Sequence, residues 1–61
     1  MPGKEDNMRR YNFTFYNIDP ETDEVLDYTE RIVWAANQAS AQETASEWAY
    51  KHGYNDFEED N

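Results

Sequence analysis

The sequence has 61 residues, which suits one small domain and leaves no space for separate cofactor-binding and substrate-binding domains. Its 14 Asp and Glu residues, against 5 Lys and Arg residues, give a formal net charge of −9 at pH 7. Such a charge disfavours direct binding to nucleic acid or to an anionic membrane, because both would repel it. The lack of cysteine excludes disulfides and thiolate metal sites within these residues.

The sequence has no apolar run long enough to cross a membrane and no basic-then-apolar start typical of a signal peptide. We therefore expect a soluble, cytoplasmic protein. The mean hydropathy of −1.21 favours disorder, but the 16% aromatic content favours a folded domain. We expect a flexible lead over residues 1–8, one domain over residues 9–57 and an acidic tail over residues 58–61.

Two strands are predicted in the first half of the chain. Residues 9–18 alternate aromatic and polar side chains, which is typical of a half-buried strand. Residues 19–24 form a turn in which Pro20 ends the ladder, because proline lacks the backbone N–H. Residues 25–34 alternate again, so the two segments predict an antiparallel hairpin.

A helix is predicted after the hairpin, where Ala, Gln and Glu are abundant. Ser40 and Glu43 fit a capping box, and Asn37 is a rival N-cap one turn earlier. Gly53 is expected to end the helix. One face of this helix carries Ala41, Ala45, Trp48, Ala49 and His52.

These elements predict an α+β fold in which one C-terminal helix packs on a small antiparallel hairpin, in the order ββα. Tyr54 and Phe57 either fold back onto the sheet or form a short third strand. The expected core comprises Tyr11, Phe13, Phe15, Ile32, Trp34 and Trp48. One helix covers only one side of a hairpin, so the other side needs a third element, a second copy or a partner. Its expected residues are Tyr16, Ile18, Val25 and Val33.

Catalytic and metal sites find little support in the sequence. His52 is the only histidine and lies at the predicted helix end, where a capping role suits it better than catalysis. Asp19, Glu21 and Asp23 alternate like the start of a calcium loop, but Glu24 occupies the sixth position, which requires glycine. We therefore expect no enzymatic activity, no cofactor and no metal.

The grouping of the carboxylates is the more informative feature, because regularly spaced carboxylates can imitate a line of phosphates. Alternate strand residues lie about 6.6 Å apart and helix residues four apart lie about 5–6 Å apart. Aromatic residues that lie outside the core supply typical interface anchors. The candidate partner-binding residues are Asp19, Glu21, Asp23, Glu24, Asp27, Glu43, Glu47, Tyr50, Tyr54, Asp56, Glu58, Glu59 and Asp60.

An aromatic hairpin followed by an Ala-rich helix, with the segment Glu43 to Ala49 and a Gly53-Tyr54 exit, resembles the layout of small phage-encoded proteins. In layout the chain is similar to bacteriophage inhibitors of host RNA polymerase, over roughly residues 11–57. In size and charge it resembles phage anti-restriction and anti-CRISPR proteins, several of which mimic DNA. The resemblance implies an inhibitor of a host nucleic-acid-handling protein, such as a nuclease, a CRISPR effector or RNA polymerase.

We therefore expect a non-enzymatic acidic inhibitor that binds a basic nucleic-acid-binding surface of a host protein. The alternative is an accessory module that self-associates as a homodimer through its open sheet face. In that case the acidity would serve only solubility.

Overall fold

The computed structural model describes residues 8–60, and the predicted lead lies outside these residues except for the exposed Met8. Three strands and one helix follow in the order β1 (Arg9–Ile18), β2 (Val25–Ala35), α1 (Gln38–His52) and β3 (Asp56–Asp60). The strands form one antiparallel sheet in the order β2-β1-β3. The fold is therefore α+β, with β1 in the centre of the sheet and β2 and β3 at its edges.

The β1–β2 hairpin forms where the alternation predicts it. Phe13 lies opposite Arg31 and Phe15 lies opposite Thr29, so odd-numbered residues of the two strands share one face. The register shifts near the turn, between Asn17 and Ile18. A bulge inserts one extra residue into one strand. The shift therefore changes which side chains share a face only next to the turn, and the rest of the hairpin keeps one register.

β3 corrects the predicted acidic tail. Residues 58–60 belong to this strand, and Phe57 lies opposite Phe15 in its antiparallel pairing with β1. The Phe57 ring lies 5.8 Å from the Phe13 ring and 5.8 Å from the Phe15 ring, measured between centroids. This apolar contact anchors the segment, so the carboxylates around Phe57 are held in a strand. Asn61 lies outside the described residues.

The helix begins after Asn37 and not at the capping box. The Asn37 side chain accepts a hydrogen bond of 2.9 Å from the backbone N–H of Ser40. At the other end Gly53 adopts a left-handed conformation with φ of 82°. The N–H of Tyr54 donates to the carbonyl of Ala49 over 2.9 Å, which completes a Schellman-type cap and confirms Gly53 as the stop.

The core lies between α1 and the face of the sheet that carries Phe13 and Phe15, both of which are fully buried. The helix contributes three buried alanines, whose small side chains let the helix approach the sheet closely. The buried apolar residues are Phe13, Phe15, Val33, Ala35, Ala41, Ala45 and Ala49, with Tyr11, Trp48, Tyr54 and Phe57 packed against them.

The core also corrects the phase predicted for β2. Ile32 and Trp34 were expected inside, but they are 50% and 59% exposed, whereas Val33 is buried. The register of the hairpin causes this, because Val33 lies opposite Tyr11 and therefore shares the face of Phe13 and Phe15.

Candidate protein-binding face

The sheet has a face that no element of the described chain covers, and we call it the open face. The helix packs on the face of Phe13 and Phe15, so the residues that alternate with them point to the opposite side. The open face carries Arg10, Asn12, Thr14, Tyr16 and Ile18 from β1, Tyr28, Glu30, Ile32 and Trp34 from β2, and Asp56, Glu58 and Asp60 from β3.

The β2 side of the open face is mostly apolar. Tyr28, Ile32 and Trp34 form what we call the aromatic strip, and each of them is at least half exposed. A concavity beside β2 is lined from both sides of the sheet, by Ile32 and Trp34 on the open face and by Thr44 and Trp48 on the helix side. Large apolar side chains grouped on an exposed surface are typical of protein-binding sites.

The β3 side of the open face is acidic. Asp56, Glu58 and Asp60 alternate along the strand and lie opposite Tyr16, Thr14 and Asn12, respectively; we call them the acidic row. Successive members are separated by two residues of a strand, which is about 6.6–7 Å.

Hydrogen bonds from β1 hold two carboxylates of the acidic row. The Thr14 hydroxyl donates to Oδ2 of Asp60, and the Tyr16 hydroxyl donates to Oε2 of Glu58 over 3.1 Å. Desolvation raises the pKa of the Tyr16 hydroxyl, and the hydrogen bond and negative charge of Glu58 raise it further. Glu58 and Asp60 are therefore fixed to the sheet by side chains that remain neutral at neutral pH.

Glu59 differs from its neighbours because it lies on the helix side of the sheet. Its position opposite Phe13 places it there, and its Oε1 accepts a hydrogen bond of 2.7 Å from Nε2 of Gln38. Its observed contact is with the start of the helix, so the predicted C-terminal carboxylates divide between two faces.

The hairpin turn holds a second group of carboxylates, Asp19, Glu21, Asp23 and Glu24, which we call the tip carboxylates. Oδ1 of Asp19 accepts from the N–H of Glu21 over 2.8 Å, and the carbonyl of Asp19 accepts from the N–H of Asp23 over 2.8 Å. Asp23 has a φ of 62°, a left-handed conformation that Asp adopts more readily than most residues. The turn is therefore built partly by its own acidic residues. Asp27 is exposed and follows the tip in β2.

The tip carboxylates and the acidic row meet at one end of the sheet. Asn55, just before β3, accepts a hydrogen bond of 2.9 Å from the N–H of Ile18 and donates one of 2.7 Å to its carbonyl. Ile18 is the last residue of β1, and the tip follows it directly. The start of the acidic row is thus tied to the start of the tip.

The remaining predicted binding residues lie on the helix or just after it. Glu43, Glu47 and Tyr50 are exposed on α1, and Tyr50 is 87% exposed. Because α1 covers the face opposite the open face, these residues do not join the acidic row. Tyr54 is half-buried and stacks on Trp48, with their ring centroids 5.6 Å apart, so much of its surface is used in the fold.

Sequence reasoning missed the aromatic strip as a surface feature. It placed Ile32 and Trp34 in the core, because five consecutive apolar residues, 32–36, give no alternation from which to choose a face. The signal that could have found the strip is Glu30, which shares a face with Ile32 and Trp34 and whose charge favours exposure. Arg31 gives the opposite signal, because it lies on the helix face, where its guanidinium packs over the Trp48 ring at 4.9 Å.

Within residues 8–60 no three His, Cys, Asp or Glu side chains are placed to hold a metal ion together. His52 stacks on Trp48, with the two ring centroids 4.1 Å apart. The described part of the chain also has no helix long and apolar enough to cross a membrane. Comparison with protein-family models, with curated proteins and with solved structures gave no match.

Proposed function

We propose that this chain is a non-enzymatic inhibitor that binds the basic, nucleic-acid-binding surface of another protein. The resemblance to phage inhibitors suggests a host protein as the target. The observation that carries the proposal is the open face itself, where the aromatic strip lies on the same side of one small sheet as the acidic row.

The acidic part of this surface supports recognition of a basic partner. Three carboxylates repeat along β3 at strand spacing, and the tip carboxylates extend the negative charge beyond Asn55. With a formal charge of −9 on the whole chain, encounter with a positive groove would be accelerated by electrostatic steering. The same charge would compete with the phosphates that the groove normally receives.

The aromatic strip supplies the part of the binding energy that does not depend on charge. Trp and Tyr are common hot-spot residues, because they bury a large apolar area at a low cost in side-chain entropy. Trp34 and Tyr28 are 59% and 62% exposed, so both retain most of that area for a partner. A partner for this face therefore combines a basic surface with an apolar patch.

A capture experiment tests the proposal. The immobilised chain is mixed with a bacterial lysate from which nucleic acid has been digested, and bound proteins are identified at about 0.05 M and about 0.5 M salt. This change shortens the Debye length about threefold. We expect nucleic-acid-handling proteins that are captured at low salt, weakened at high salt and displaced by added double-stranded DNA.

Two variants with the same change in charge make the experiment specific. The pair Glu21→Lys and Glu24→Lys reverses two tip carboxylates, whereas the pair Glu43→Lys and Glu47→Lys reverses two carboxylates on the helix. We expect the tip pair to weaken capture at least about tenfold, the size of about 1.4 kcal/mol, and the helix pair to leave it nearly unchanged. Equal effects of the two pairs, or capture that ignores salt and DNA, would disprove nucleic-acid mimicry.

A further inference from the structure

β2 is a strand at the edge of the sheet, and its outer side has no partner strand in the described part of the chain. It is 11 residues long and contains neither Pro nor Gly. A long edge strand without such interruptions presents unpaired N–H and C=O groups to which another strand can bind.

The hydrogen bonds of β1 show which backbone groups of β2 point outward. The carbonyl of Tyr16 and both backbone groups of Ile18 bond to Asn55, on the β3 side. Backbone groups alternate in direction along a strand, so the odd-numbered residues of β1 and their β2 partners bond to each other. The outward N–H and C=O groups of β2 therefore belong to its even-numbered residues, which are Tyr28, Glu30, Ile32 and Trp34.

The two edges of the sheet differ in their protection against pairing. β3 is only five residues long, and four of these residues are acidic, a pattern that discourages strand addition. β2 carries only three charged residues, Asp27, Glu30 and Arg31, among exposed apolar ones. β2 is therefore the edge on which another strand would bind.

We propose that the outer edge of β2 pairs antiparallel with β2 of a second copy of this chain, in the register that places Ile32 opposite Ile32 of the second copy. The two sheets would join into one six-stranded sheet with both helices on the same side. The tip carboxylates and the acidic row would remain free, so the dimer does not depend on the function proposed above.

Charge favours this register over those whose two-fold axis lies at position 30 or 31. A two-fold axis at position 30 places Glu30 directly opposite Glu30, and an axis at position 31 places Arg31 opposite Arg31. Like charges directly opposite each other are destabilising. An axis at position 32 brings two apolar side chains together, places Glu30 beside Trp34 of the second copy, and places Arg31 beside Val33 of the second copy.

The acidic row does not obstruct a second copy at this edge. The acidic row lies on β3, which β1 separates from β2. The net charge of −9 on each chain still opposes association at long range. We therefore expect a weak dimer, in the class that buries less than about 1,200 Å², that becomes tighter as salt screens the repulsion.

Disulfide trapping tests the pairing and its register, since the sequence contains no cysteine. Ile32→Cys would place two thiols opposite each other, within the Cα separation of about 4.4–6.8 Å that a disulfide requires. We expect it to form a covalent dimer under mild oxidation at least about tenfold faster than Leu26→Cys, an exposed position of β2 outside the pairing. Glu30→Cys should be as slow as Leu26→Cys.

Sedimentation of the chain without cysteine supplies an independent measurement. The apparent mass should rise with protein concentration and with salt, Ile32→Glu should abolish the rise, and Leu26→Glu should retain it. Amide exchange at the outward positions of β2 should slow as concentration increases. A chain that stays monomeric at the highest concentration would overturn the proposal. Pairing of β2 with strands of other proteins but not with a second copy would overturn it as well. Faster trapping at Glu30→Cys than at Ile32→Cys would also overturn it.

Discussion

Phe15 makes the central contacts between the helix and the sheet. It is fully buried, and its ring centroid lies 4.6 Å from that of Trp48 and 5.8 Å from that of Phe57. Tyr54 approaches the same ring at 6.2 Å. The one side chain therefore contacts α1, the segment after α1, and β3, so each of these elements depends on it.

We expect Phe15→Ala to unfold most of the protein. Removal of a buried Phe costs about 3–5 kcal/mol, and a core of this size supplies about 3–5 kcal/mol in total. Circular dichroism during urea titration measures the loss. Tyr50→Ala, at an exposed aromatic position, should change the stability by no more than about 0.5 kcal/mol. A folded Phe15→Ala protein of near-normal stability would contradict this account of the core.

Asn37 caps the helix, and this assignment can be tested against its rival. Because Oδ1 of Asn37 accepts the N–H of Ser40, Asn37→Ala should cost about 1 kcal/mol of stability. Ser40→Ala should cost much less, since Ser40 lies inside the helix. Urea denaturation of both variants gives the comparison. A larger loss for Ser40→Ala would show that the helix begins at the capping box instead.

Tyr16 provides a pH-dependent test of the acidic row. Desolvation and then Glu58 raise its pKa above the ordinary value of 10.0, so the folded protein holds this proton more tightly than the unfolded chain does. Its contribution to stability is therefore complete below the ordinary pKa and is lost as the pH rises through the raised pKa.

Removal of the Glu58 charge should move that pKa in a known direction. Glu58→Gln should lower the pKa of Tyr16, because it removes the negative charge that opposes ionisation of the phenol. The matched change Glu59→Gln, on the other face of the sheet, should leave it unchanged. Absorbance titration, with Tyr16→Phe subtracted in each background, isolates the signal. Equal shifts of the Tyr16 pKa in the two variants would show that Tyr16 does not interact specifically with Glu58 of the acidic row.

At the scale of the element, β3 decides whether the C-terminal residues act as a strand or as a tail. We expect deletion of residues 56–61 to destabilise the protein strongly, because it removes the Phe57 contacts with Phe13 and Phe15. Loss of a solvated tail would instead raise the stability slightly, since it removes carboxylates from a highly negative chain. Urea denaturation distinguishes the two, and Phe57→Ala should reproduce most of the loss.

The sequence predicts the elements whose patterns are local. The hairpin, its turn and the helix follow from alternation, Pro20 and Gly53, each of which acts within a few residues. A short third strand is only one of two alternatives that the sequence leaves for Tyr54 and Phe57, because the four carboxylates of this segment suggest solvent and only Phe57 argues for burial. The pairing of β3 depends on β1, about 40 residues away, and no local signal reports a contact at that separation.

The candidate site is predicted less well than the fold, because it depends on the phase of β2. Apolar residues fill positions 32–35, so either face of the strand could be buried. Only the pairing of Val33 with Tyr11 assigns Ile32 and Trp34 to the open face. The acidity of the site follows from composition, but the division of Glu58 and Glu59 between two faces follows from the strand.

For the whole molecule, charge acts on stability and on binding in different ways. The carboxylates occupy the tip, the acidic row and the exposed side of the helix, so they repel one another over most of the surface. Stability depends on the sum of these repulsions, whereas a partner contacts only one region. The same pair of charge reversals can therefore be equivalent for folding and very different for binding.

We expect the melting temperature to rise as salt increases from about 0.05 M to about 0.5 M, because screening weakens the repulsion among carboxylates. A gain of about 1 kcal/mol corresponds to about 4–8 °C for a domain of this size. The tip pair Glu21→Lys and Glu24→Lys and the helix pair Glu43→Lys and Glu47→Lys each reduce the net negative charge by four.

Both pairs should raise the melting temperature at low salt and reduce its dependence on salt to a similar extent, as measured by thermal denaturation followed by circular dichroism. Only the tip pair should weaken capture of a basic partner. If only one pair stabilised the protein, the charges in that pair would act through nearby groups and not through the net charge of the chain. The two variants would then no longer be matched controls for binding. Similar melting curves with unequal capture would assign the difference to the surface that the partner contacts.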